Sequence, residues 1–129
     1  MKEYTNEDYD YIKTSLKDEG LTDEKMTFET DNTFITDVGF FSYRIEGEYP
    51  RLMHFYVDKD KRGGGNFRRL ARDFWGKLIE GEHLFCVIEL PKGKQYLKRF
   101  IEYYGGKEPY YEENGNKYYL VPTIGRIRK

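Results

Sequence analysis

The stretch best suited to chemistry is Arg62-Gly63-Gly64-Gly65-Asn66-Phe67, which sits between a strand-like run ending at Val57 and a helical pattern crowded with Arg68, Arg69 and Arg72. A glycine turn that enters a helix presents main-chain N–H groups at the positive end of the helix dipole, an arrangement suited to an anion such as a phosphate. Glycines carry no Cβ, so a ligand oxygen can approach the backbone, and Arg62 adds a fork-shaped cationic donor. The same residues also read as a flexible turn before a solvated cationic helix face. The spacing is not that of GxxxxGK[ST], and "GGGNFR" lacks the third glycine of the dinucleotide fingerprint and follows a hairpin pattern. A second candidate is Glu89, a strand-end carboxylate in "VIEL" that could accept a proton or simply meet solvent, Lys92 or Lys94. Cys86, inside "LFCVIEL", reads as a small core hydrophobe. With one cysteine and two isolated histidines, His54 and His83, no multi-ligand thiolate or imidazole metal cluster is expected.

Composition limits what must hold these residues. The chain has 129 residues without a composition break, which predicts one domain over residues 1–129. Only 38% of it is apolar, so thirteen Tyr and nine Phe must supply much of the core. The formal charge of −1 argues against a general polyanion binder, so any basic site is local. No segment approaches the roughly 20 apolar residues of a membrane span. No intrachain disulfide is possible, and a reducing cytoplasm fits.

The elements follow from periodicity. Thr5 and Asp8 resemble a capping box ahead of Tyr9, Ile12 and Leu16, predicting a helix that runs until Gly20. A short turn capped by Thr22 and a strand in "MTFETDNTFITD", broken at Asp31-Asn32, come next. Residues 38–57 predict a hairpin turning on Gly47 and Pro50. Phe67, Leu70, Ala71, Phe74 and Leu78 form a helical stripe whose first member, Phe67, reads as buried against the sheet, which leaves residues 62–66 able to hold phosphate; pointing outward, it would block them. "HLFCVIEL" predicts a buried strand ended by Pro91. Leu97, Phe100, Ile101 and Tyr104 predict a helix stopped by Gly105-Gly106. Two last strands flank Asn114-Gly115, and "GRIRK" reads as a frayed tail. The sum is an α+β domain, a mixed central sheet flanked by helices on both faces.

This order and the loop together resemble the GCN5-related N-acetyltransferases. "VDKDKRGGGNFRRL" is similar to that family's strand followed by Q/RxxGxG/A, with Val57 ending the strand, Arg62 at the Q/R position, Gly65 at the first required glycine and Phe67 at the final Gly/Ala position. "VIELPKGKQYLKRFIEYYGG" resembles the family's LEVxxxNxxAxxFYEKxGF strand and helix, and "NGNKYYLV" its closing hairpin. The resemblance covers about two thirds of the chain, roughly residues 38–121. It implies an acetyl-CoA-dependent transfer to a primary amine, with acetyl-CoA as cosubstrate held through Tyr56, Val57, Arg62, Gly63, Gly64, Gly65, Asn66 and Phe67. It implies main-chain oxyanion donors at the end of "HFYV" and Glu89 as base. The position of the family's proton-donating tyrosine is Ile101, and its other base positions are Arg51 and Met53. The acceptor carries no signature in residues 1–50. A weaker likeness is to small proteins of this type encoded by short-tailed phages, which would place the chain in a host cytoplasm or a virion. The alternative reading is a degenerate binding or structural protein that keeps the fold without turnover, for which Ile101 and Phe67 speak. Nucleic-acid binding through Arg62, Arg68, Arg69 and Arg72 ranks behind both, and the aromatic C-terminal hairpin could pair across a homodimer.

Overall fold

The computed structural model describes residues 1–18, 31–90 and 97–123. A two-residue strand β1 (Lys2–Glu3) leads through a 3-10 turn (Asn6–Asp8) into α1 (Tyr9–Asp18). Then come β2 (Asn32–Ile35), β3 (Gly39–Glu46), β4 (Tyr49–Val57), a 3-10 turn (Lys59–Lys61) and α2 (Asn66–Glu80). The chain closes with β5 (Phe85–Leu90), α3 (Leu97–Tyr103), β6 (Pro109–Glu113) and β7 (Asn116–Pro122). The strands form a seven-stranded sheet in the order β1-β2-β3-β4-β5-β7-β6. The β4–β5 pair is parallel, with Arg51 opposite Val87, and β5–β7 and β6–β7 are antiparallel. The expected α+β class with a mixed sheet is therefore present, with three α-helices among the described residues.

Local chemistry explains most boundaries. The Thr5 amide donates to Asp8 Oδ2 at 2.9 Å and Lys2 meets the same carboxylate at 2.8 Å, so the predicted cap forms. The β3–β4 hairpin turns on Gly47, whose φ of 61° lies in the left-handed region. Pro50, expected in that turn, is instead the second residue of β4 and fully buried, near a strand start where a missing N–H is tolerated. Asn114 and Gly115, with φ of 54° and 84°, make the predicted β6–β7 turn. β1 had no periodic signal, since two residues carry none. The helix end expected at Gly20, the turn at Thr22, the strand before Asp31, the stop at Pro91 and the basic tail fall outside the described residues.

The chain divides into two compact units, one of residues 1–44 and 53–71, the other of 45–52 and 72–129. In the first, Ile12 and Leu16 of α1 bury their faces against Phe40 and Tyr56, with Tyr4, Tyr11 and Ile35 around them. In the second, Trp75 is 1% exposed and lies between Phe74 at 4.9 Å and Tyr104 at 5.4 Å between ring centroids. Cys86, Ile88, Leu90, Ile101, Tyr119 and Val121 are buried in the same unit, and aromatic rings supply much of the core in both units.

Candidate functional site

In the first unit β4 ends at Val57, and the chain passes through the turn at 59–61 into the three glycines. Gly63, Gly64 and Gly65 have φ of 99°, 60° and 81°, three successive residues in the region that L side chains avoid. All three are exposed, and a Cβ built on any of them would meet nothing within 4 Å. Asn66 opens α2 and fastens the loop, with its side-chain amide on the Lys61 carbonyl at 2.7 Å and its main-chain N–H on the Gly63 carbonyl at 3.2 Å. Among the described residues, the amides of Gly63, Gly64 and Gly65 have no protein acceptor. The loop thus exposes three glycine amides just ahead of a helix, a chemistry suited to an anion.

The neighbouring side chains are arranged differently from the expectation drawn for them. Phe67, expected to be buried, is 40% exposed and rests on Phe55 with ring centroids 5.0 Å apart. Its place in the first turn of α2 lies too close to the loop for the stripe to bury it. Among the described residues, Phe67 included, no atom beyond the adjoining residues comes within 4 Å of a Cβ built on any of the three glycines. Arg62 is directed back along the chain: Nε donates to the Val57 carbonyl at 3.0 Å, an Nη meets Asp18 Oδ2 at 3.0 Å, and the guanidinium lies 5.2 Å over the Tyr56 ring. Asp18 also accepts the Tyr56 hydroxyl at 2.9 Å. That hydrogen bond first, and then Arg62, holds the Asp18 carboxyl below the usual range against the opposing effect of burial. Tyr56 and Val57 are both 7% exposed, and the Asp58 amide just beyond donates to the Val38 carbonyl at 2.8 Å. Asp58 in turn takes the Tyr11 hydroxyl at 2.5 Å; burial first, and then Asp58, pushes that phenol upward. Among the arginines of α2, Arg69 pairs with Asp37 at 3.1 Å.

In the second unit Glu89 is half-buried on β5. It faces Tyr118 of β7 in the ladder, accepts the Tyr118 hydroxyl at 3.2 Å, and has Arg51 of β4 at 4.0 Å. Arg51 also lies 5.0 Å over the Tyr118 ring. Burial first, and then Glu89, raises the Tyr118 phenol, so it stays a hydrogen-bond donor at neutral pH. Lys92 and Lys94 fall outside the described residues. Ile101 is fully buried, and Gly106 lies so close that a Cβ there would sit 2.5 Å from Ile101 Cγ2. Cys86 is fully buried, with its thiol pushed up by desolvation, as a core residue should be. His54 is half-buried in the first unit, and burial is the chief cause of its lowered pKa. Sequence reasoning missed Asp18, Asp58, Arg51 and Tyr118 as partners. Only the sheet register and the return of α1 bring them in, and neither is written as a local spacing.

No protein-family model matches the chain, and no curated protein matches it in sequence. Its architecture does have solved counterparts. The ribosomal-protein-S18-alanine N-acetyltransferase of Escherichia coli has a TM-score of 0.71 at 14% identity, covering 94% of this chain and 91% of that one. Ard1 of Thermoplasma volcanium has a TM-score of 0.65 at 21% identity, covering 92% and 93%. Naa20 of Chaetomium thermophilum, solved with a bisubstrate analogue, has a TM-score of 0.64 at 10% identity, covering 99% and 88%. The chain therefore has the GCN5-related N-acetyltransferase fold. At these identities the likeness is one of fold.

Proposed function

We propose that residues 1–129 form one acyltransferase domain that takes the acetyl group of acetyl-CoA to a primary amine. The observation that carries this reading is the glycine loop: three successive left-handed glycines, open and with unengaged amides, in the fold shared with N-acetyltransferases. Within the loop at residues 62–67, the main-chain donors of Gly63, Gly64 and Gly65 foremost would hold the diphosphate, with Asn66 bracing the loop through its own amide and Tyr56 and Val57 closing the strand behind. Arg62 would act mainly by bracing: its bonds to the Val57 carbonyl and Asp18 fix the start of the loop.

The chemistry can be given magnitudes. An alkylamine with pKa about 10.4 stands about 3.4 units above neutral pH, so reaching the free amine costs roughly 4.6 kcal/mol unless a base assists. Glu89 is the residue we assign to accept that proton. Tyr118 and Arg51 hold its carboxylate in place. A thiolate of pKa about 8.5 leaves unprotonated at a cost of only about 2 kcal/mol. Ile101, where the family has a tyrosine, is therefore a smaller loss than a missing base would be. This reading places the protein in a cytoplasm with acyl-CoA.

Calorimetric titration with acetyl-CoA tests the reading. Saturable binding that a Gly64→Val change weakens by roughly tenfold or more, with thiol release on adding an amine acceptor, is expected. No binding at about 1 mM ligand contradicts it. A second reading, a binding or structural protein that keeps the fold without turnover, as the phage likeness suggests, is favoured by the fully buried Ile101. It predicts coenzyme binding with no thiol release across a panel of amines. Nucleic-acid binding is disfavoured because Arg62 and Arg69 are already paired with Asp18 and Asp37.

A further inference from the structure

We propose that the second unit carries a binding site for a single alkylammonium group, a cage of Tyr49, Tyr110 and Tyr111 with Glu48 in its wall. A cavity of about 220 Å³ is lined by these four residues together with Arg51 and Val87. The rings stand steeply to one another: Tyr49 and Tyr110 are 6.0 Å apart at 80°, and Tyr110 and Tyr111 are 5.6 Å apart at 67°. Each end of the cage is backed by another ring. Tyr111 stacks on Tyr118 at 4.4 Å and 9°, and Tyr49 meets Phe85 edge-on at 5.9 Å.

Strict alternation along β6 would send Tyr110 and Tyr111 to opposite faces of the sheet. A register shift between Pro109 and Tyr111 breaks that alternation, and both tyrosines line the one cavity. Both rings stay open to solvent, at 51% and 38% exposure. Both rings pack on neighbours, yet each keeps a large open surface beside this one space, available to a ligand. Aromatic faces at steep angles offer negative quadrupole from several sides, the arrangement that attracts an organic cation. Glu48 adds an acidic side chain to the wall beside Tyr49. Among the described residues, Arg51 is the one cation of the lining. It lies over Tyr118 with Glu89 at 4.0 Å, so a carboxylate already opposes its charge. Its presence still disfavours polycations and limits the guest to one positive centre.

The site does not depend on the acyl-transfer reading. The test is a titration of the whole chain with choline and with its uncharged isostere 3,3-dimethyl-1-butanol, followed through the NMR amide shifts of residues 47–49, 51 and 110–113. Choline should saturate these shifts, with the isostere weaker by roughly tenfold. Tyr110→Phe should keep choline binding and Tyr110→Ala should lose it, while coenzyme A binding is the same in both. Because Tyr110 is half exposed, the alanine variant should keep the wild-type melting temperature within a few degrees. Glu48→Gln, a second variant that leaves every ring in place, should weaken choline severalfold. Equal affinity for the isostere, absence of saturation, or unchanged choline binding in both Tyr110→Ala and Glu48→Gln overturns the proposal.

Discussion

Glu89 and His54 show how differently two titratable residues can bear on the protein. Glu89→Gln keeps the shape and the Tyr118 contact but removes the proton acceptor. In steady-state assays it should lower kcat by roughly 100-fold with little change in the KM for acetyl-CoA. An equal kcat would take Glu89 out of the chemistry. His54 bears on stability. Burial first, helped by Arg44 and opposed by Asp31, puts its folded pKa below the ordinary 6.5. The unfolded chain therefore takes up this proton first as pH falls, so the contribution is fully present above 6.5 and lost below it, down through the folded value. Thermal melts between about pH 7.5 and about pH 5.5 should show a drop in Tm that His54→Gln reduces. The carboxyls of Asp18 and Asp37, held below 3.8 chiefly by the Tyr56 and Arg69 hydrogen bonds respectively, add nothing in that window and matter only in stronger acid. Glu89 is visible in the sequence because it sits in a strand with a recognisable continuation. Tyr118 and Arg51, which hold it, are fixed by cross-strand register and leave no mark in the spacing.

Element ends carry the next set of consequences. α3 stops at Gly105 with φ of 99°, and the Gly106 and Gly105 amides return to the carbonyls of Ile101 and Glu102, a Schellman cap announced by the two glycines. α2 ends in the same hydrogen-bond pattern, His83 to Leu78 and Glu82 to Ile79, but the left-handed position is Glu82, with φ of 62°. Glu82→Gly should therefore stabilise the protein by about 0.5–1 kcal/mol in chemical denaturation, where glycine elsewhere in a helix destabilises. The reverse holds at Gly39, where a Cβ would lie 1.9 Å from the Tyr56 carbonyl oxygen. Gly39→Ala must push β3 away from the end of β4, and a lower Tm should accompany weaker coenzyme binding. Turn signals such as Asn114-Gly115 are legible because they need particular dihedral angles that few residues adopt. Pro50 misleads for the complementary reason, since a strand start tolerates what a turn merely prefers. Phe67 likewise fits the spacing of the α2 stripe but lies in the first turn, where periodicity cannot say whether a core lies beneath it.

At the scale of the whole molecule, the order of helices and strands was legible, because period changes and glycine or proline punctuation mark each element. The strand order β4-β5-β7-β6 was not, since it depends on which non-local pairs bury the most apolar surface. The core of the second unit leans on Trp75. Trp75→Ala should cost about 3–5 kcal/mol, whereas Trp75→Phe, which also removes a buried indole N–H that has no hydrogen-bond partner among the described residues, should cost much less. The most direct test of the functional account is at the loop itself. Coenzyme A added to ¹⁵N-labelled protein should shift the amide resonances of Gly63, Gly64 and Gly65 most strongly and saturably, with smaller changes at Val57 and Asn66. Saturable binding that leaves those three glycine amides unmoved, or no binding at all, would contradict it.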